Sequence, residues 1–580
     1  MTSLEPRVAA AFDGERGARL AAALFAGFAL AAAVLLLWLN RGTSFWNDQL
    51  TWFAGLSGSN DLESILAPHN SHLIGTTRFV YLAVNELVGP DYLVFRVLGV
   101  ASVLLAAALF FVWARRRIAP GWALLPAILL LFYGTAWQHV VGPIGFTMTF
   151  SIALGLAALL AVERGDRRGD VLACLLVTLS VFSYTAGLAY LVGVAIMILL
   201  RSDRLRRAWI FLIPLLLYAA WWIWAQKFDQ GRTDAGNLTH LVEFFARSMS
   251  ANAGGITGVN IPWLRIFDTS PIIDARASAL GWIVGAALTG ALLWRILRGS
   301  LPRSFWAALG VLVTFWLAAG IADIDVGKDG TLANAIRYVF PGSLALLMVL
   351  VAAVSGTRID GSRAYALVGV FAFSLAMNLI FLNDGADYLR EQGASSRVEL
   401  TMLELRAGLD PGAEGPRPVA PDPEAVADLT DYTKSAPSKY LEAVSRYGSP
   451  ALTLDELRHQ PAAERATADL ALIGSGGAAF LADAGDGVPG RPCAPVAGDD
   501  GPDELAPGAD WIRAAGGDGA PVPLSLSRFG DPPGIPLGEA TAATWSILAT
   551  TGDAADERWR LTIPPGTRLR ACPPAPAGER

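Results

Sequence analysis

The stretch ARLAAALFAGFALAAAVLLLWLN, residues 18–40, decides the fold of this chain. A helix needs about 20 consecutive apolar residues to cross the hydrocarbon core of a bilayer. This stretch supplies them, with one charged residue, Arg19, near its start. The run is too long for the apolar part of a cleavable signal peptide and lacks a clear cleavage site, so we expect a signal anchor. The sequence therefore predicts a membrane-spanning helix over residues 18–40.

The rest of the chain repeats this pattern. Of its 580 residues, 53% are hydrophobic and 17% are charged, and the apolar residues lie in runs of spanning length. SYTAG at 183–187 is the predicted bend between two of the shorter runs. A net charge of −6 gives no support for a nucleic-acid partner. We predict a polytopic α-helical membrane protein with about eleven crossings, at 18–40, 93–114, 120–138, 143–162, 171–184, 187–200, 208–225, 277–298, 304–320, 335–354 and 364–382.

Arginine residues indicate the orientation of these helices, because they concentrate in the short loops on one side. By the positive-inside rule that side is cytoplasmic. The loops concerned contain Arg16, Arg19 and residues 115–117, 163–170, 201–207, 295–303, 358 and 363. We expect a multi-pass plasma-membrane protein whose N-terminus is cytoplasmic. The outer side then receives loops 41–92, 225–276 and 321–334, and the C-terminal region from 383 onward.

Two segments of the outer loops have apolar residues at helical spacing, interrupted by charged side chains. They are HLIGTTRFVYLAVNELV, residues 72–88, and LTHLVEFFARSMS, residues 238–250. This pattern is typical of a helix that lies in the membrane interface. We therefore expect the outer loops to carry structure of their own.

The composition changes after residue 382. A polar amphipathic helix is predicted at 386–408, and a linker rich in proline, glycine and acids follows at 410–424. We predict a membrane domain over 1–382, a helical connector and linker over 383–467, and an outer β-rich domain, sandwich or jelly-roll-like, over 468–580. The β-like runs of the last domain are ADLALIG, DWIRAA, VPLSLSRF, TWSILATTG, RWRLTI and TRLRAC.

The three cysteines agree with this organisation. Cys174 falls in a predicted membrane helix, where a small apolar role is expected. Cys493 and Cys572 flank the β-like runs on the outer side, where thiols oxidise. We expect these two to form a disulfide, which in the chain-entropy model stabilises the domain by about 4 kcal/mol.

Asp48 lies in the loop SFWNDQLTWFAG, just beyond the first predicted helix. A carboxylate at a membrane exit can act as a general base towards an acceptor hydroxyl. The alternative is a helix cap or a solvated charge. Its neighbours Trp46 and Trp52 fit an interfacial aromatic belt.

His69 and His72 follow in LAPHNSHLIGTTRF, spaced i, i+3 at the start of a predicted helix. Three roles remain open for them. They can hydrogen-bond a phosphate or a sugar, they can have a structural role, or they can bind a divalent cation together with Asp48 or Asp61. The sequence establishes no cofactor.

Arg337 and Tyr338 open a late predicted helix on the outer side. An arginine at the edge of a membrane is costly unless it has a partner, and phosphate is a natural bidentate one. The alternative is an interfacial arginine whose head group reaches water. Lys328 is a further outer cation and a weaker candidate. The sequence has no P-loop, no glycine-rich nucleotide fingerprint and no catalytic serine or cysteine motif.

On these features the chain resembles the GT-C class of integral-membrane glycosyltransferases. The resemblance rests on Asp48 after helix one, the PHNSHL segment, the Arg337-Tyr338 pair and an outer C-terminal domain, and it covers most of 1–382 as architecture. It implies a polyprenyl-phosphate-linked sugar donor and chemistry at the outer face, with Asp48 as base or acceptor-orienting group. The sequence departs from the family pattern at Ser71 and at Gln49, where acids are expected.

The resemblance also implies that His69, His72, Arg337, Tyr338 and Lys328 bind substrate. The C-terminal region is similar in placement and β content to the carbohydrate-binding modules of actinobacterial arabinosyltransferases. The expected activity is sugar transfer to a cell-envelope glycan or protein, with membrane lipids as surroundings. Two alternatives stay open: a non-catalytic scaffold or export factor for envelope polymers, and a transporter. The transporter is disfavoured because the charged residues cluster at the outer interface and not at mid-membrane.

Overall fold

The computed structural model shows a chain of helices followed by a region of β-strands. It describes residues 14–56, 61–228, 235–260, 278–322, 336–357, 359, 361–412, 437–485, 493–515, 520–551, 553 and 555–572. The chain divides into two compact units. The first comprises residues 1–41, 61–80 and 93–389, and the second comprises residues 42–60, 81–92 and 390–580.

The α-helices are Gly14–Leu39, Asp48–Gly55, Leu62–Leu66, Gly75–Val88, Tyr92–Ala114, Pro120–Leu131, Trp137–Val140, Phe146–Val162, Arg167–Ser183, Gly187–Leu199, Arg204–Arg207, Trp209–Ala225, Leu241–Thr257, Ala279–Leu297, Arg303–Ala322, Ile336–Ala353, Gly361–Arg406, Pro437–Tyr447, Leu454–Arg458 and Ala462–Gly474. Single turns of 3₁₀-helix lie at Gly134–Ala136, Pro143–Gly145, Gln226–Phe228, Ala235–His240 and Gly498–Asp500.

Ten of the eleven predicted apolar runs correspond to one α-helix over most of their described length, whereas run 120–138 is divided into helix Pro120–Leu131, a 3₁₀ turn and helix Trp137–Val140. Within the described ranges, 8 of these helices are long and apolar enough to cross a membrane. The chain is thus a multi-pass membrane protein. Residues 167–199 form two helices, Arg167–Ser183 and Gly187–Leu199, as the short runs around SYTAG predict. The described cysteine Cys174 is a buried free thiol in the first of the two.

Three predicted helices have different bounds in the structure. The helix expected from residue 72 begins at Gly75, because residues 69–72 form a turn. In the segment 238–250 the α-helix begins only at residue 241, after a 3₁₀ turn, and this helix, Leu241–Thr257, is followed by Gly258 in a left-handed conformation, φ 76°. The predicted helix 386–408 is the C-terminal part of one 46-residue helix, Gly361–Arg406.

Buried polar side chains join the helices of the first unit. The Tyr133 hydroxyl lies 2.6 Å from Ser343 Oγ, and Ser343 donates to Asn252 Oδ1 at 2.8 Å. Thr135 donates through its backbone N–H and its hydroxyl to Asn378 Oδ1, at 2.9 and 2.8 Å. In hydrocarbon such interhelical hydrogen bonds stabilise packing because the alternative is an unsatisfied polar group. These bonds tie together helices that are far apart in sequence.

Nine strands of the second unit form two antiparallel sheets. They are β1 Ala478–Gly485, β2 Ala494–Ala497, β3 Asp503–Leu505, β4 Gly508–Ala514, β5 Val522–Ser527, β6 Ile535–Ala540, β7 Trp545–Thr550, β8 Trp559–Thr562 and β9 Arg568–Cys572. One sheet has the order β1-β7-β4-β9-β2 and the other β3-β8-β5-β6. Residues from both sheets, among them Ile512, Leu524 and Leu561, share one buried core. The predicted C-terminal β-rich region is confirmed, with strands between residues 478 and 572.

One predicted strand is wrong. ADLALIG, residues 468–474, is the end of the helix Ala462–Gly474 and not a β-strand. The helix buries Ala468 and Leu472, one turn apart. Between them Asp469 accepts three backbone N–H bonds, from residues 528, 529 and 530, at 2.8 to 2.9 Å. These long-range bonds fix the helix against the end of β5, and no local pattern in the sequence reveals them.

Two covalent or ionic links stabilise the β region. Cys493 and Cys572 form the predicted disulfide, which closes a loop with a sequence separation of 79 residues. Arg528 and Asp553 form a bidentate ion pair with both contacts at 2.6 Å, and each side chain is only 4% exposed. Removal of one partner of such a pair is strongly destabilising, because it leaves a buried charge without compensation.

Candidate functional site

A small, partly open cavity lies among the helices of the first unit. Its lining is amphiphilic, with hydroxyl and imidazole groups on some elements and apolar side chains on others. The polar residues are His72, Tyr184, Thr185, Thr314 and Tyr338. The apolar residues are Met148, Ala186, Ala189, Phe315, Ala318 and Ala319. Such a cavity suits a ligand that is itself amphiphilic.

The break between two membrane helices supplies two of the polar groups. Helix Arg167–Ser183 ends at Tyr184, whose extended backbone (φ −167°, ψ 153°) interrupts the helix before Gly187. Tyr184 and Thr185 therefore stand at the cavity instead of continuing a helical face. Neither residue is among the predicted site residues, since SYTAG predicts only a bend between two helices. The available signal was the placement of two hydroxyl side chains between apolar runs.

The two predicted histidines lie in a tight turn. The His69 N–H donates to the His72 carbonyl at 2.9 Å, and the His72 N–H donates back to the His69 carbonyl at 2.8 Å. The central residues Asn70 and Ser71 have φ of 49° and 65°, which is the pattern of a type I′ turn. Neither is a glycine, so the turn stores backbone strain of about 1 kcal/mol or more per residue. The predicted helix start at the histidines is wrong for this reason.

The ring of His72 is held by residues of the helix break. Its Nδ1 lies 2.6 Å from Thr185 Oγ1, and its ring centroid lies 4.5 Å from that of Tyr184. His69 contacts its own neighbour, since Asn70 Nδ2 lies 3.2 Å from His69 Nε2. His72 lines the cavity, and His69 is not among the residues that line it. The structure thus separates the roles of the two histidines.

Arg78 anchors the segment that precedes the turn. Its Nη1 donates to the carbonyls of Ser64 and Ala67, both at 2.6 Å. Burial lowers the pKa of Arg78 to about 10, so the guanidinium remains charged at neutral pH. Trp221 Nε1 donates to the Leu66 carbonyl at 2.8 Å and adds a second tether. The chain before His69 is therefore fixed to the helices of its own unit.

Arg337 and Tyr338 lie in the first turn of helix Ile336–Ala353. Tyr338 lines the cavity, and its ring packs edge-on against Phe315 with centroids 6.3 Å apart. The Arg337 guanidinium lies 5.1 Å from the Tyr338 ring centroid, and the side chain is exposed. A helix N-terminus favours anions, and an arginine in the same turn adds a full positive charge. This end of the helix is suited to an anionic group.

Asp48 lies in the second unit, in the first turn of helix Asp48–Gly55. The next residue, Gln49, is 1% exposed and joins two tyrosines. Its Nε2 donates to the Tyr81 hydroxyl at 2.8 Å, and its Oε1 accepts from the Tyr92 hydroxyl at 2.8 Å. Burial raises the pKa of Tyr81 well above its ordinary value, and nearby Tyr92 and Asp48 raise it further. A neutral amide that bridges two phenols explains why this position carries Gln49 and not a second acid.

The predicted site residues thus fall into four groups. His72 and Tyr338 share the cavity of the first unit, and His69 and Arg337 lie in the same unit without lining that cavity. Asp48 belongs to the second unit, and Lys328 lies outside the described residues. In the part of the chain that the structure describes, no three His, Cys, Asp or Glu side chains are grouped so that they could hold a metal ion.

No protein-family model matches the sequence, and no curated protein matches it either. Among solved structures the chain is similar to the crystal structure of ArnT from Cupriavidus metallidurans bound to undecaprenyl phosphate. The TM-score is 0.40 at 14% sequence identity, over 68% of this chain and 82% of that chain. The functional proposals for this chain therefore rest on its own residues.

Proposed function

We propose that this chain is a membrane glycosyltransferase of the GT-C class. It transfers a sugar from a polyprenyl phosphate to a cell-envelope glycan or protein on the outer face of the membrane. The observation that carries the proposal is the amphiphilic cavity, which has His72, Tyr184, Thr185 and Tyr338 among its lining residues. Its aliphatic lining suits isoprene units, and its hydroxyl and imidazole groups suit a phosphate or sugar.

The donor phosphate is assigned to the start of helix Ile336–Ala353. Arg337 supplies two parallel N–H donors that match two phosphate oxygens. Tyr338 lies beside it at the cavity and can donate through its hydroxyl. His72 lines the same cavity, and Lys328 is a further candidate cation for the donor. His69 supports the turn that presents His72.

The acceptor hydroxyl is assigned to Asp48. A general base removes the acceptor proton as the new glycosidic bond forms, and it must be held at a fixed position. The first turn of helix Asp48–Gly55 provides such a position. Buried Gln49 holds that turn in place by hydrogen bonds with the hydroxyls of Tyr81 and Tyr92.

The orientation follows from the arginine-rich loops. With the N-terminus in the cytoplasm, the loop that carries Asp48 and His72 and the C-terminal β region face outward. The β region is proposed to bind carbohydrate, since two stacked antiparallel sheets provide a stable platform outside the membrane.

Substitution of Asp48 tests the catalytic assignment. Asp48→Asn keeps the size of the side chain and removes the base, so turnover should fall by roughly 10²-fold or more while donor binding changes little. Asp455→Asn is the matched control, because Asp455 lies in the first turn of helix Leu454–Arg458 and is 78% exposed. Full complementation of a deletion strain by Asp48→Asn would favour the scaffold alternative.

Substitution of Arg337 tests the donor site. Arg337→Ala should weaken donor binding because the bidentate contact is lost, and Arg337→Lys should restore only part of it. Arg298→Ala is the control, since Arg298 also lies over an aromatic ring, that of Trp294 at 4.3 Å, but at the C-terminal end of its helix. Equal donor affinity in all three variants would contradict the assignment.

A further inference from the structure

The hydrogen bond between His72 and Thr185 bears on which ring nitrogen of His72 carries a proton. His72 Nδ1 lies 2.6 Å from Thr185 Oγ1, and either group can be the donor in such a contact. The direction decides which nitrogen of the imidazole carries hydrogen, and so what the ring can do in the cavity.

The surroundings of Thr185 indicate the direction. A threonine inside a helix usually gives its hydroxyl proton to a carbonyl one turn earlier. Thr178 does so towards Cys174 at 2.7 Å, and Thr149 does so towards Gly145 at 2.7 Å. Thr185 lies in the helix break, and in the described part of the chain His72 Nδ1 is its hydroxyl's hydrogen-bond partner. The hydroxyl proton therefore goes to Nδ1, which leaves hydrogen on Nε2.

Tyr184, the residue before Thr185, fixes the plane of the same ring. Its ring centroid lies 4.5 Å from that of His72 at an interplanar angle of 40°. Two successive residues of the break thus hold one imidazole, one by packing and one by a hydrogen bond.

We propose that Thr185 is a positioning residue that holds His72 as the neutral Nε2–H tautomer, so that the cavity offers a fixed hydrogen-bond donor to an anionic phosphate oxygen. This deepens the proposed function and rests on it for the identity of the ligand. The helix break at Tyr184 then makes this hydrogen bond possible. In a continuous helix the Thr185 hydroxyl would donate to a backbone carbonyl one turn earlier and not to His72.

The tautomer is tested without any assay of activity. The full chain is labelled with ¹⁵N-histidine, placed in lipid nanodiscs and studied by NMR. The chain has only 5 histidines, so His72→Gln identifies the His72 signals by difference. We expect His72 of the wild type to have an unprotonated Nδ1 and a protonated Nε2. Thr185→Ser should keep this tautomer, whereas Thr185→Val should show a mixture of the two tautomers. A protonated Nδ1, or a Thr185→Val spectrum equal to wild type, would overturn the proposal.

The second readout is donor kinetics with a radiolabelled polyprenyl-phosphate sugar. Thr185→Val should raise the donor KM about tenfold with little change in kcat, because one oriented hydrogen bond is lost. Thr185→Ser should restore wild-type values. Thr178→Val is the control and should leave both constants unchanged. An unchanged KM in Thr185→Val would refute the link to the donor.

The two readouts separate two kinds of failure. A chain that shows the Nε2–H tautomer but transfers no sugar from any polyprenyl phosphate would refute the proposed function and leave the positioning of His72 intact. An active chain with the opposite tautomer would refute the positioning alone.

Discussion

The bridge formed by Gln49 allows a quantitative prediction about the segment that carries Asp48. The Gln49 side chain is 1% exposed and contacts the hydroxyls of Tyr81 and Tyr92, each at 2.8 Å. Gln49→Leu keeps most of the volume and removes both bonds. It also leaves two phenol groups without their amide partner. Each lost bond costs about 1 kcal/mol net, and somewhat more at a buried position, so we expect a loss of about 2–4 kcal/mol in unfolding free energy.

A double-mutant cycle isolates one of the two bonds. Tyr92→Phe alone should cost about 1 kcal/mol, because it removes one hydroxyl and leaves the Gln49 carbonyl oxygen unsatisfied. Gln49→Leu combined with Tyr92→Phe should cost less than the sum of the single changes. We expect a coupling energy of about 1 kcal/mol.

The assay is denaturant unfolding of the purified full chain in micelles, followed by tryptophan fluorescence. Gln226→Leu is the control, because among the described residues the exposed Gln226 donates to the Trp222 carbonyl of the preceding helix, and its cost should stay within about 0.5 kcal/mol. Strictly additive costs for Gln49 and Tyr92, or a Gln49→Leu cost as small as the control, would refute the bridge and its explanation of why an acid is missing here.

Two further predictions concern the outer face. Removal of the disulfide in Cys493→Ser/Cys572→Ser should lower the stability of the β region by about 4.5 kcal/mol, the chain-entropy value for a loop with a separation of 79 residues. Mass spectrometry without reducing agent should find the linked peptide pair, and two free thiols in exported protein would contradict it. For the orientation, single cysteines in 41–92 or after 383 should react with an impermeant thiol reagent in intact cells, whereas those near 116, 167 and 204 should not. Labelling at 167 without labelling in the first loop would invert the topology.

The helices of this fold follow closely from the sequence. Runs of apolar residues at membrane-spanning length are a strong and local signal, and ten of the eleven predicted runs correspond to one helix in the structure. Of the described strands, β4, β5, β7, β8 and β9 follow from the predicted β-like runs, whereas β1, β2, β3 and β6 were not predicted. The error at 468–474 has a physical cause, because a short apolar run suits a helix or a strand equally well. At this position the three long-range hydrogen bonds that Asp469 accepts stabilise the helix.

The residues of the candidate site could be predicted from the sequence less completely than the helices. His72 and Tyr338 could be selected by residue type, and the structure places both at one cavity. Thr185 was missed because a hydroxyl residue in a membrane helix usually bonds to its own backbone. Gln49 was expected to be an acid, and its role depends on two tyrosines from other segments. Contacts of this kind join positions far apart in the chain, and a single sequence carries no local sign of them.

Sugar transfer by the purified chain decides whether it is a glycosyltransferase with Asp48 as its base. The purified full chain in nanodiscs is mixed with a panel of radiolabelled polyprenyl-phosphate sugars and an envelope fraction as acceptor, and transfer to the acceptor is counted. We predict transfer from at least one lipid-linked donor by the wild type and by Asp455→Asn, with a loss of roughly 10²-fold in Asp48→Asn. Equal transfer by wild type and Asp48→Asn, or none from any lipid-linked sugar in protein that shows the Nε2–H tautomer of His72, would contradict the proposed function.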